Sequence, residues 1–274
     1  MTTEAQAPAV AMPPAEASLP NVVRSEWTKF WSLRSTHWTL GTLFFVAYGL
    51  SVLLTWVTAR SWDDASPEDR ASFDALDVSL GGGLFLGTLI ITVLGVLVIS
   101  GEYSTGGIRT TLTAVPERMT LLGAKAIVWV SVAFVASLLI AFGSFFLGQR
   151  FLAAEDIDAS LGDPGVFRAV LGGALFITAC GLFAFALGAL LRRTAAGITA
   201  ALGGLLVLPS LGALLPGDWG ETVNDYLLTN AGGQIVEVEP DPDALGPWTG
   251  YVVFLLWCIG VLAIAAALMQ RRDA

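Results

Sequence analysis

Long uncharged stretches alternate along this chain with short, densely polar ones. Six runs contain no Asp, Glu, Lys, Arg or His: Trp38–Thr58, Leu80–Ser100, Ala126–Gly148, Ala169–Leu190, Ala196–Leu215 and Thr249–Met269. An apolar run of ~20 residues is long enough to cross a bilayer as a helix. Barrel strands would alternate apolar and polar positions, and these runs do not. The pattern therefore predicts an all-α membrane protein with six transmembrane helices.

The polar stretches are not equivalent. Ahead of the first span lies NVVRSEWTKFWSLRSTHW, Asn21–Trp38. At helical spacing Val23, Trp27, Phe30 and Trp31 share one face, with Arg24, Ser25, Thr28 and Ser32 mostly opposite. That arrangement predicts an amphipathic helix over residues 20–36 lying in the headgroup layer, with Lys29 and Arg34 reaching to its surface. Residues 1–19, dominated by Ala, Pro and Glu, lack the basic and apolar regions of a signal peptide and read as a disordered tail. The six-span domain is assigned to 37–274.

Between the second and third spans the chain builds SGEYSTGGIRTTLTAVPERM, Ser100–Met119, where a passive turn would need only a few residues. Gly106 and Gly107 can end the second helix and reverse the chain. IRTTLTAV is long enough for two helical turns, and Pro116 stops that helix or starts the next. Glu117, Arg118 and Lys125 line the return. A short helix held between two spans is a lever, because force on it tilts both. Ile108 and Leu112, four apart, share one face and can fill an apolar cleft on a partner. Arg109 can bond a partner carboxylate or carbonyl. Glu102 has Arg109 and Lys125 as local counter-ions that would brace the lever.

The segment Pro216–Trp248 holds seven acids and no Lys or Arg. Pro209 and Pro216 interrupt the end of the fifth span, and VNDYLLTNAGGQI looks helical before its two glycines. A broken span followed by a short apolar helix predicts a re-entrant or lid-like element at one mouth. Irregular backbone at that depth must be buried in protein or line a water-filled cavity.

Composition agrees with the pattern: mean hydropathy is +0.71, with 55% hydrophobic and only 14% charged residues, too little polar surface for a soluble domain of 274 residues. Charge adds the sidedness. The end carrying both termini holds ten of the fourteen Lys and Arg but six of the twenty-three acids. The formal net charge of −9 thus conceals a basic face and an acidic one. The positive-inside rule puts both termini and the Ser100–Met119 connection in the cytoplasm. Arg192 and Arg193 in the short LRRTAAG loop read as topology anchors.

Much chemistry is excluded. Ion-coupled carriers usually place Asp, Glu, Lys or His inside the membrane, and these spans have none. No GxxxxGK[ST] or HExxH occurs. His37 is the single histidine, and Cys180 and Cys258 read as apolar packing residues. SLGGGLFLG, Ser79–Gly87, reads as close helix packing. No catalytic, metal or cofactor residue and no nucleic-acid partner is expected. A transport subunit driven by a separate protein would look like this.

RSEWTKFWSLRSTHWTL (Arg24–Leu40) and GEYSTGGIRTTLTAVPERMTLLGAKAIV (Gly101–Val128) resemble the bacterial type-2 ABC export permeases, with YLLTNAGGQI (Tyr226–Ile235) adding support. The chain departs from that pattern at His37, Gly107 and Leu228. The resemblance implies the membrane subunit of an ATP-driven exporter in a bacterial plasma membrane. It also implies a homo- or heterodimer of permeases and a separate soluble ABC ATPase that binds the ATP. It maps a connecting helix onto Val22–Ser35, including Val23, Trp27, Phe30, Trp31 and Arg34. A coupling element falls on Tyr103–Arg118, with Glu102, Tyr103, Gly106, Ile108, Arg109, Leu112, Pro116 and Arg118. Exit helices fall at Tyr226, Leu227, Leu228 and Asn230. A hydrophobic or amphipathic substrate would suit the spans. The rival readings are a membrane sensor or scaffold without transport, and an ion-coupled carrier.

Overall fold

Five of the six apolar runs identified in the sequence each lie within one helix that outruns the apolar stretch. The computed structural model describes residues 18–107, 111, 113 and 117–271, and among them there is no strand. Helix α1 is Leu19–Ser32, α2 Arg34–Arg60, α3 Pro67–Ala71, α4 Ala75–Ser104, α5 Arg118–Leu152 and α6 Val166–Leu191. Then follow α7 Thr194–Leu202, α8 Leu208–Gly212, α9 Gly217–Asp225, α10 Leu228–Gly233 and α11 Pro247–Arg271. Among the described residues six segments are long and apolar enough to cross a membrane: α2, α4, α5, α6, the combined stretch Thr194–Gly212, and α11. Charged residues end an apolar run without ending a helix. At ~1.5 Å per residue α5 is roughly 50 Å long, against a hydrocarbon layer of ~30 Å, so its ends project beyond that layer.

The fourth span is the axis. In α6, 72% of its most apolar window is buried, against 22% in α2 and in α11, which therefore form the periphery. Small residues let α4 and α6 approach: a Cβ on Gly188 would sit 3.0 Å from the Val96 carbonyl oxygen, and one on Gly181 2.7 Å from Ile91. Trp129 of α5 is almost fully buried and donates its indole N–H to the Gly181 oxygen at 3.0 Å. The SLGGGLFLG run also serves packing, since a Cβ on Gly82 would lie 2.8 Å from the Ser51 backbone nitrogen of α2.

Two expectations are corrected. The helix ahead of the first span does not continue to residue 36: Leu33 adopts an extended conformation (φ −82°, ψ 118°), α1 stops at Ser32, and Arg34 opens α2. The fifth span breaks earlier than Pro209. Its helix widens into a π-helical turn over Gly203–Val207 before restarting as α8. The physical cause acts backwards: Pro209 lacks an N–H and its ring crowds the carbonyl four residues earlier, Leu205, so the preceding turn must open.

Candidate functional site

The connection after the second span begins with a tight stop. Thr105 donates its N–H to the Gly101 oxygen at 3.1 Å, and Gly106 follows at φ +73°, a left-handed conformation that only glycine adopts without strain. Gly107, Thr111 and Thr113 are helical, and the Thr111 hydroxyl donates to the Gly107 oxygen one turn back at 3.0 Å. Ile108, Arg109, Leu112 and Pro116 lie outside the described residues. Glu102 and Tyr103 form the last turn of α4 and Arg118 the first of α5, so these three flank the connection. Arg118 also donates to the Met269 oxygen at 2.8 Å, tying the start of the third span to the end of the sixth.

Directly behind this connection four charges meet. Lys125 of α5, 3% exposed, bonds Glu26 of α1 and Glu102 of α4, each at 2.6 Å. Lys29 of α1 also pairs with Glu102, on the same carboxylate oxygen. The result is an alternating chain, Lys29–Glu102–Lys125–Glu26, that stitches α1 to the second and third spans. The other oxygen of Glu102, Oε2, is buried and has no hydrogen-bond partner among the described residues. At Lys29, burial alone would lower the pKa, but Glu102 and Glu26 more than offset it, and the ammonium is held above its ordinary value. Removing one member of a buried ion pair costs ~3–5 kcal/mol, because the survivor keeps its charge without compensation.

The Lys125–Glu102 pairing was anticipated by the sequence; the part played by α1 was not. Helix α1 packs on α5 through buried Val22, against Leu121 and Ala124, with Val23 and Tyr103 alongside. Val22, Glu26, Lys29 and Phe30 share that inward side at helical spacing. Trp27 and Trp31 face outward, in edge contact with ring centroids 5.9 Å apart. Lys29 therefore turns inward to Glu102 instead of reaching for the surface. The available signal was an acid and a base spaced to fall on the side that packs.

Tyr103 is half-buried under a second contact. The Arg192 guanidinium lies 5.2 Å from its ring centroid, where a cation is attracted to the aromatic face. Arg192 itself is left-handed at φ 55° and closes α6. Beside it the hydroxyls of Ser100 and Thr194 share a hydrogen bond at 2.9 Å. The LRRTAAG loop thus also abuts the end of α4.

At the opposite end two short helices, α9 and α10, lie between the fifth and sixth spans. Tyr226 ends α9 and Leu227 precedes α10, so both lie in the turn between them. Leu228 is 2% exposed and packs with Phe254 and Cys258 of α11. Asn230 clasps the preceding turn through the Asn224 backbone and side-chain oxygens, at 3.0 and 2.8 Å. Thr229 donates to the Leu205 oxygen at 3.0 Å, the carbonyl displaced by Pro209, so α10 satisfies the break in the fifth span. A cavity of about 720 Å³ opens here between α4, the broken span and α10, with Thr88, Asn224, Asn230 and Gln234 in its lining. Burial, with Asp77 and Asp74 nearby, raises the pKa of the Glu237 carboxyl at its rim.

The family model described as "ABC-2 family transporter protein" matches residues 23–207. That span runs from α1 through the connection and the ion chain to the π-helical turn, and leaves α9, α10 and the sixth span outside. No curated protein matches the chain.

Proposed function

The chain belongs to the ABC-2 family of transporters, and from that premise we propose how it works: as an export permease driven through the Ser100–Met119 connection by a separate ATPase subunit. It is a multi-pass membrane protein and an ABC-type permease. On our reading it has no ATP site of its own, both termini face the cytoplasm of a bacterial cell, and two permease subunits work together. The observation that carries the mechanism is the Lys29–Glu102–Lys125–Glu26 chain.

A push on the connection reaches the last turn of α4 and the first turns of α5. There the buried charges make α1, α4 and α5 move together, because separating Lys125 from Glu26 or Glu102 strands a charge in a dry site. Arg118 and Arg192 extend the linkage to the sixth span and to the fourth-to-fifth loop. At the far end α10 plugs the break in the fifth span and borders the 720 Å³ cavity, which serves as the exit vestibule. Tilting of α4, which lines that cavity, then opens or closes it.

The test is co-purification. Affinity-tagged chain expressed with the P-loop ATPase of its own operon should retain that subunit, and only the complex should hydrolyse ATP. Transport by the purified chain alone, driven by a proton or sodium gradient, would overturn the reading.

A further inference from the structure

A groove of about 450 Å³ runs up the bundle from the ion chain, between α4 and α5 with the start of α2 as its third wall. This is within the ~300–1,000 Å³ of small-molecule sites. Its walls are apolar: Leu94, Leu97 and Val98 from α4, Val128 and Val132 from α5, and Leu40 from α2. From Glu102 to its upper end at Ile91 the groove follows eleven residues of helix, roughly 16 Å at ~1.5 Å each. That is about half of the ~30 Å hydrocarbon layer, the depth of one leaflet.

Polarity is confined to the other end. There the groove meets Glu26, Lys29, Glu102 and Lys125, with the hydroxyl residues Ser35 and Thr36 beside them. The four charges carry no net charge, two cations against two anions. They are incompletely paired among the described residues, where Glu102 Oε2 is buried without a donor. A buried carboxylate oxygen without a donor loses the hydrogen bonds it had in water.

We propose that this groove binds one phospholipid from the leaflet on the side of the termini, and that the lipid carries a zwitterionic headgroup with a primary ammonium. The acyl chain lies along Leu94, Leu97 and Val98. The ammonium faces the Glu102 carboxylate at the end of the groove, and the phosphate faces Lys29 and the Ser35 and Thr36 hydroxyls. Charge selects the headgroup: an anionic lipid would bring uncompensated negative charge to a pair of carboxylates. Hydrogen bonding selects further, since a primary ammonium has three N–H donors and a trimethylammonium has none. The proposal does not depend on which ATPase drives the chain.

Native mass spectrometry of the delipidated full-length chain tests it, with added dioleoyl-phosphatidylethanolamine, -phosphatidylcholine or -phosphatidylglycerol of matched acyl chains. One ethanolamine lipid should bind at least about tenfold more tightly than the choline lipid, ~1.4 kcal/mol, and the glycerol lipid should bind no better than choline. Leu94→Trp, which fills the groove without touching the charges, should abolish the tight binding. Glu102→Gln should bring the ethanolamine and choline lipids to equal affinity. Equal binding of all three lipids by the unaltered chain, a preference for phosphatidylglycerol, or unchanged retention by Leu94→Trp would each overturn the proposal, whether or not Glu102→Gln folds.

Discussion

Replacing Lys125 by Met keeps an unbranched side chain one atom shorter and removes its charge from a position that is 3% exposed. Glu26 Oε2 then loses its 2.6 Å donor, and Glu102 keeps only Lys29. The carboxylate side chains remain 11% and 12% exposed, so water compensates little. Loss of one partner from a buried pair costs ~3–5 kcal/mol. Lys29, with its side chain 46% exposed, continues to serve Glu102, which places the expected loss near the lower end, about 3 kcal/mol. Adding Glu26→Gln removes the stranded charge, so the double variant should lose less than the sum of the two single ones. A coupling of ~1–3 kcal/mol is expected for groups in direct contact. Equilibrium unfolding in mixed detergent–SDS micelles, followed by tryptophan fluorescence, gives the four free energies of the cycle. Additivity to within ~0.5 kcal/mol would mean that Lys125 and Glu26 do not act on each other, and the mechanical link between α1 and α5 would fall with it.

Thr229→Val keeps the side-chain shape but removes the hydroxyl donor to the Leu205 carbonyl, which should cost ~0.5–1.5 kcal/mol in the same assay; Thr222→Val, whose hydroxyl bonds within its own exposed helix, should be neutral. Lys29 supplies a pH test: its folded-state pKa is raised, so its stabilising contribution is complete below its unfolded value of ~10.4 and is lost as pH rises through the folded one. Wild type should therefore lose its advantage over Lys29→Met only above about pH 10.4, and a constant difference up to pH 12 would contradict the pairing. For sidedness, Glu68→Cys should label from outside intact cells and Ser104→Cys only after permeabilisation, in a background with Cys180→Ala and Cys258→Ala; external labelling of both would reverse or abolish the proposed topology.

The spans were readable because burial in lipid demands long uncharged runs, and that demand is local in sequence. Their ends were not, because Arg118 and Lys125 close the apolar run before Ala126 yet continue the same helix through α5. Pro209 flagged trouble in the fifth span, but its effect falls on the turn before it, and the compensating hydroxyl of Thr229 arrives from twenty-four residues away. The charge chain was half visible. Glu102 and Lys125 bracket one connection, whereas Glu26 is ninety-nine residues from Lys125, and the outward aromatics Trp27 and Trp31 drew attention to the other side of α1. Pairings across that distance depend on which face packs, and an amphipathic helix with lipid on one side and protein on the other offers two.

Docking and transmission can be separated in one reconstitution. Vesicles carrying the permease with the ABC ATPase proposed to drive it would be compared for ATPase retention and for ATP-dependent transport, using wild type, Arg109→Glu and Lys125→Met. Arg109→Glu, in the connection, should release the ATPase and stop transport. Lys125→Met, behind the connection, should retain the ATPase and still lose most transport, because the push no longer reaches the spans as a unit. Full transport in both variants would contradict the claim that the Ser100–Met119 connection and the buried charges behind it couple ATP hydrolysis to the membrane helices.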